Sequence, residues 1–190
     1  MKKLLFIFLA AFTLLIGSGC KKKKTDADPC ANTVCLNGGT CVNGSCSCPS
    51  GYSGADCGTQ RTPTKITITG IKVTKYPALD GASTWDLALN TDPDIFAVVK
   101  QGTNTIISTG VNTNVTGQSI VLSGGVPYDV TDMVTQMNIE LFDQDTPPID
   151  SNDPMGNINF SIYNSTNRFP STLVVNNGTL TFELTLTYTY

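Results

Sequence analysis

Short carboxylates gather at two places in this chain. Asp80, Asp86, Asp92 and Asp94 stand ahead of the apolar run Ile95-Phe96-Ala97-Val98-Val99. Asp143, Asp145, Asp150 and Asp153 occupy the stretch Phe142-Asp143-Gln144-Asp145-Thr146-Pro147-Pro148-Ile149-Asp150-Ser151-Asn152-Asp153-Pro154-Met155-Gly156, between two apolar segments. Carboxylates packed this closely repel one another, and calcium, which takes about six to eight oxygen ligands, relieves that repulsion. Calcium is therefore the expected cofactor. The competing reading is that Asp serves as a turn residue, favoured in loops for its local hydrogen bonds.

Other chemistry is poorly provided for. The chain has no histidine, so the commonest general base and metal ligand is missing. No Gly-rich phosphate loop opens a helix. The two glutamates of the second half, Glu140 and Glu183, fall on strand-like segments. An Asp-pair hydrolase is the one enzymatic alternative, and a non-enzyme is expected. Residues 65–190 hold five basic residues (Lys65, Lys72, Lys75, Lys100, Arg168) against ten Asp and two Glu. Such a domain offers no basic groove for nucleic acid.

The elements that must position these acids are strands. Leu180, Phe182, Leu184, Leu186, Tyr188 and Tyr190 alternate with Thr181, Glu183, Thr185, Thr187 and Thr189, the pattern of a half-buried antiparallel strand. Ile66, Ile68, Ile71 and Val73 nearly alternate, with Gly70 a candidate bulge. Further strands are expected over Ile95–Lys100, Asn104–Ser108, Ser119–Leu122, Met137–Phe142, Asn157–Tyr163 and Thr172–Val175, separated by Asn, Gly, Pro and Asp. Asp129–Gln136 is the one candidate helix. The fold class is all-β, with residues 65–190 forming an antiparallel sandwich. Trp85, the single tryptophan, is expected to pack into it rather than stand at a loop tip.

At the two Asp-rich loops the chain resembles the C2 domain family of calcium- and phospholipid-binding β-sandwiches. Asp92-Pro93 and Asp94-Ile95-Phe96 both match the loop that ends in an Asp-Pro-aromatic strand start. Asp143, Asp145, Asp153 and Gly156 match a strand ending in Asp-x-Asp, then a loop, then Asp-x-x-Gly. The resemblance spans roughly residues 65 to 163, and the second loop is longer and richer in Pro than the family pattern. It implies Asp86, Asp94, Asp143, Asp145 and Asp153 as calcium ligands, with Asp92 alternate to Asp94. Asp80 competes with Asp86 for the first position, and Asp80 and Asp150 are outer candidates.

All seven cysteines lie in the first third of the chain. Six of them, Cys30, Cys35, Cys41, Cys46, Cys48 and Cys57, crowd a segment too short to bury a core, which implies a disulfide framework. Zinc is disfavoured, since no Cys-x-x-Cys pair and no histidine exist. Spacing alone leaves the pairing open. Asn37-Gly38-Gly39-Thr40-Cys41 and Cys46-Ser47-Cys48-Pro49-Ser50-Gly51-Tyr52-Ser53-Gly54-Ala55-Asp56-Cys57 resemble an EGF-like module over residues 30–57. That likeness implies Cys30–Cys41, Cys35–Cys46 and Cys48–Cys57. Asp26 and Asp28 precede the first cysteine, but Pro29 stands where calcium-binding members carry an acid or amide, so this module is expected to be calcium-free. Residues 58–64 read as a linker to the sandwich.

Residues 1–19 read as a secretory signal: Lys2 and Lys3, an apolar run from Leu4 to Ile16, then small residues. Leu15-Ile16-Gly17-Ser18-Gly19-Cys20 resembles the lipobox of bacterial lipoproteins, with Gly17 where Leu is commoner. It implies acylation of Cys20. Residues 20–29, including Lys21–Lys24, would be a tether against anionic headgroups. The expected protein is exported and anchored in the bacterial envelope, at the outer membrane or cell surface. Its EGF-like spacer would carry a calcium-dependent module for an anionic lipid, glycan or protein ligand. The rival is a metal-free structural or adhesion module.

Overall fold

The computed structural model describes residues 27–81, 83–85, 92–145 and 152–190. The signal segment, Cys20, Lys21–Lys24, Asp86, Pro147, Pro148 and Asp150 lie outside these residues. The described chain is all-β. Four short strands form the amino-terminal unit: β1 (Thr40–Val42), β2 (Ser45–Ser47), β3 (Tyr52–Ser53) and β4 (Thr59–Gln60). Nine more form the second: β5 (Lys65–Lys75), β6 (Ile95–Gln101), β7 (Asn104–Ser108), β8 (Ile120–Leu122), β9 (Tyr128–Val130), β10 (Met137–Asp143), β11 (Asp153–Phe160), β12 (Thr172–Asn176) and β13 (Thr181–Thr189).

The small unit is held by covalent bonds rather than a core. Its bridges join Cys30–Cys41, Cys35–Cys46 and Cys48–Cys57, the pairing that the EGF-like resemblance implies. Cys41 and Cys46 face each other across the β1–β2 hairpin. Asp28, expected to bind no calcium, accepts the Cys30 N–H at 2.9 Å as a local turn bond. The expected linker is not slack. Thr59 and Gln60 pair with Ser53 and Tyr52, and Thr64 N–H donates to Thr189 O at 2.8 Å.

The second unit is a sandwich of two antiparallel sheets. One runs in the order β11-β10-β6-β7; the other is β12-β13-β5-β8, with β9 also on β5. Period-two patterning explains the core. Ile95, Ala97 and Val99 of β6, Met137, Ile139 and Leu141 of β10, and Phe182, Leu184 and Leu186 of β13 are buried between the sheets. In β5 the buried set changes phase from Ile66 and Ile68 to Ile71 and Val73. The change falls at Gly70, where pairing with β13 slips between Thr185 and Leu186, so the expected bulge is present.

Two expectations need correction. Asp129–Gln136 is not a helix. Tyr128–Val130 is a strand whose Val130 pairs with Ile66, and residues 131–136 are irregular. Asp132 Oδ1 accepts the N–H groups of Val134 and Thr135 at 2.9 and 3.0 Å, a side-chain bond that competes with helical pairing. The strand expected at Asn157–Tyr163 runs instead from Asp153 to Phe160. Pro154 is tolerated because β11 is a sheet edge, and a register slip opposite Leu141 and Phe142 buries Met155.

Candidate functional site

Four of the predicted acids converge at one end of the sandwich because three strand ends meet there. Asp143 closes β10, Asp153 opens β11, and the two are register partners; Asp143 also lies opposite Ile95, the residue after Asp94. Asp143 continues the inward phase of Met137, Ile139 and Leu141, so its carboxyl is fully buried at the end of a core row. A buried carboxylate needs donors. Its Oδ1 accepts the Asp94 N–H at 2.7 Å, and Gln144 N–H donates to Asp94 O at 2.7 Å.

Asp94 carries the network to a third loop, its Oδ1 accepting the Asn114 N–H at 2.5 Å. Asn114 holds a left-handed φ of 48° that lets the loop turn back, and Val115 N–H donates to Pro93 O at 2.9 Å. Asp145 N–H donates to Asn152 Oδ1 at 3.2 Å, spanning the second Asp-rich loop. Asp92 is exposed and faces Tyr76, whose phenol is pushed above its ordinary pKa first by burial and then by the Asp92 charge. Asp80 forms a small turn with Ser83, apart from this network.

Asp94, Asp143, Asp145 and Asp153 thus share one pole, while Asp86 and Asp150 lie outside the described residues. Among the described residues no group of three or more His, Cys, Asp or Glu stands close enough to hold a metal ion. These bonds give Asp94 and Asp143 a structural use, as acceptors that tie loops to strand ends. Trp85 is buried at 7% exposure with Nε1 donating to Pro77 O at 3.0 Å, a packed anchor of the core. Tyr76 does the same work, donating its N–H to Gln118 Oε1 and its hydroxyl to Gly117 O. Sequence reading passes over Asn114, Gln118 and Tyr76, since nothing local marks them as partners of residues some 20 to 42 positions away.

The opposite pole holds the small unit. β11 leads away from Asp153 over eight residues, roughly 26 Å at about 3.3 Å per residue, to the segment 161–169. There Gln60 Nε2 donates to Asn164 O at 3.1 Å, Arg168 N–H to Gln60 Oε1 at 3.0 Å, and the Tyr163 hydroxyl to Arg61 O at 3.3 Å. Phe169 sits at the centre of an aromatic cluster, edge-on to Tyr52 at 5.5 Å, Tyr188 at 5.3 Å and Tyr190 at 5.1 Å. Arg61 covers the Tyr190 ring at 5.9 Å. Arg168 and Phe169 both hold left-handed φ values, 56° and 53°, which non-glycine residues keep only where surrounding contacts enforce them.

Comparison with known proteins bears on the two units separately. The family described as EGF-like domain matches residues 29–57. A 64-residue stretch is 39% identical to the hepatocyte growth factor activator serine protease of Homo sapiens, covering 30% of this chain and 8% of that protein. The Mus musculus protein is 55% identical over 40 residues, 18% of this chain and 6% of that one. The chain therefore spans under a tenth of the length of these curated relatives. Among solved structures, a C2 domain covers 65% of this chain and 97% of its own length, at 18% identity and a TM-score of 0.42. Human GIVD cytosolic phospholipase A2, in complex with methyl gamma-linolenyl fluorophosphonate inhibitor and terbium chloride, covers 67% of this chain and 18% of its own. It is 13% identical with a TM-score of 0.45. These scores are too low to transfer a site or a ligand.

Proposed function

We propose that this is an exported, lipid-anchored, non-enzymatic binding protein of the bacterial envelope, presenting the Asp pole of its sandwich outward on an EGF-like spacer. The observation that carries the reading is the opposition of the two poles. The unit that follows the amino-terminal tether docks through Tyr52, Gln60 and Arg61 against Phe169, Asn164 and Tyr190 at one end, and Asp94, Asp143, Asp145 and Asp153 gather at the other. A docked spacer holds the acid loops away from the anchored end, where they meet ligands rather than the chain's own bilayer.

Calcium bound at this pole would neutralise the acids and offer a positive charge to an anionic lipid headgroup, glycan or protein. The described residues supply hard oxygen donors but fall short of a cation cage, so ligation needs Asp86 or Asp150 to join Asp94, Asp145 and Asp153. A metal-free adhesion module is the second reading. It is favoured by the use of the Asp94 and Asp143 carboxylates as acceptors of backbone N–H groups.

Thermal unfolding of residues 21–190 against calcium and magnesium decides between them. Sites of this kind bind with dissociation constants on the order of 10⁻⁴–10⁻³ M. At about 10 mM calcium the folded state then gains roughly 1.4–2.7 kcal/mol. The expected result is a calcium-selective rise in Tm that Asp86→Asn with Asp145→Asn abolishes. A flat Tm removes calcium and leaves the adhesion module. The mass of the amino-terminal peptide from native membranes tests the anchor separately, with diacylated or triacylated Cys20 expected.

A further inference from the structure

A second candidate site lies at the other end of β6, remote from the acids. The turn between β6 and β7 faces the segment after β9 across an open cleft of about 550 Å³. That volume falls within the range of small-molecule sites, roughly 300–1,000 Å³. Its walls are tied together. Gln101 Nε2 donates to Asp132 O at 2.7 Å, Gly102 N–H to Gln136 O at 3.2 Å, and Asp132 Oδ1 secures Val134 and Thr135. The irregular run that replaces the expected helix is thus the fixed second wall of the cleft.

The lining has one chemical character. Thr103, Thr105, Thr135 and Tyr128 bring hydroxyls, while Gln101 and Asn104 bring amides. These groups both donate and accept, so they match a partner that does the same. Among the described residues no Lys or Arg lines the cleft, which leaves an anion without a counter-charge there. The apolar contribution is confined to the Tyr128 ring and Ile106, both half-buried, too little for an acyl chain but enough for the C–H face of a sugar ring. Asp132 adds a carboxylate held ionised by the Thr135 hydroxyl and by backbone N–H groups, an acceptor for charge-assisted bonds from hydroxyls.

We infer that the cleft between the β6–β7 turn and residues 128–135 binds a neutral, polyhydroxylated ligand, a sugar unit of a glycan. Such a site gives the protein a second contact surface that works without calcium and sits near the docked end of the sandwich. β7 is also a sheet edge, so an extended peptide adding to that edge is the competing occupant.

The test is saturation-transfer NMR on residues 21–190 with maltose, cellobiose, N,N′-diacetylchitobiose and galactose at millimolar concentration, with EDTA present. The expected result is transfer to the C–H protons of at least one sugar. Thr105→Trp, which fills the cleft from an exposed position, should abolish it. Tyr128→Phe, which removes only a hydroxyl, should weaken binding several-fold, since one lost hydrogen bond changes affinity by about that factor. Backbone amide spectra of each variant report whether it is folded. No transfer from any of the four sugars overturns the inference. So does transfer that survives in folded Thr105→Trp, or an unlabelled strand peptide that perturbs β7 amides while the sugars stay silent.

Discussion

Replacing Gly51 with alanine tests whether the two units form one body. Gly51 holds φ at 89°, and a Cβ there would lie 2.7 Å from Phe169 Cε2, 2.7 Å from the Tyr190 hydroxyl oxygen and 2.8 Å from Tyr190 Cζ. Two costs follow. Left-handed backbone costs a non-glycine residue about 1–2 kcal/mol, and this falls on the EGF-like unit whether docked or not. Overpacking adds about 1–3 kcal/mol, relieved by undocking or by displacing the Phe169 and Tyr190 rings that line the interface. Against that stand the Phe169–Tyr52 ring pair, worth about 0.5–1.5 kcal/mol, and the bonds of Gln60 and Arg61 to Asn164, Arg168 and Tyr163, each worth about 0.5–1.5 kcal/mol net. The clash is therefore comparable to what holds the units together. Gly38→Ala is the control, since Gly38 has φ at 80° and nothing within 4 Å of the added carbon. It incurs the strain without the clash. The assay is tryptic cleavage after Arg61, between the units, followed by mass spectrometry, alongside thermal unfolding. Gly51→Ala should speed cleavage at Arg61 well beyond Gly38→Ala. Its Tm should lie lower by about 2–12 °C, at about 2–4 °C per kcal/mol for a chain of this size. Equal cleavage rates in the two variants would refute a packed interface.

The aromatic cluster around Phe169 predicts a response to alkali. Burial pushes the Tyr188 and Tyr190 phenols up to about 12, with neighbouring tyrosines adding to the shift. The protonated forms are favoured in the folded chain, so this contribution is complete below the unfolded pKa of about 10 and is lost as pH rises through about 12. Tyrosinate absorbance should show Tyr188 and Tyr190 titrating late, with Tyr76 also shifted upward, and Arg61 should become labile to a protease active over that window. Reduction should separate the units: with no cysteine after residue 57, dithiothreitol should unfold only the EGF-like unit, each lost bridge costing about 2–4 kcal/mol there. Intact β5–β13 amide protection after reduction is the expected observation, and global exchange would contradict it. Asp143→Ala should cost about 1–3 kcal/mol in urea unfolding by leaving the Asp94 N–H without its acceptor, whereas Asp143→Asn keeps an acceptor oxygen and should cost less. Equal losses would argue against that bond.

What was legible in the sequence is what is encoded locally. Alternation at Met137, Ile139 and Leu141, and again from Phe182 to Leu186, predicts strand and buried face together, because side chains of a strand change sides at every residue. The cysteine pattern predicts a stapled unit, since so short a segment has no other means of holding together. The same alternation, carried one step further, places Asp143 inward. Tertiary structure decided the rest. Asp94 reaches Asp143 across 49 positions only because β6 and β10 pair in one register. The slip between Leu141 and Phe142 then sets where Asp153 falls. Asp132 turned a helix-like stretch into a cleft wall once β9 had paired with β5 and its carboxylate had captured two backbone donors. Phe169 and Tyr190 read as ordinary aromatics in sequence, and they became a docking surface when the chain ends met Tyr52 and Arg61, over 100 residues earlier. A residue's own chemistry and its alternation are properties of a few neighbours, whereas a contact between distant segments depends on strand order and on each slip in register, which no short window of sequence contains.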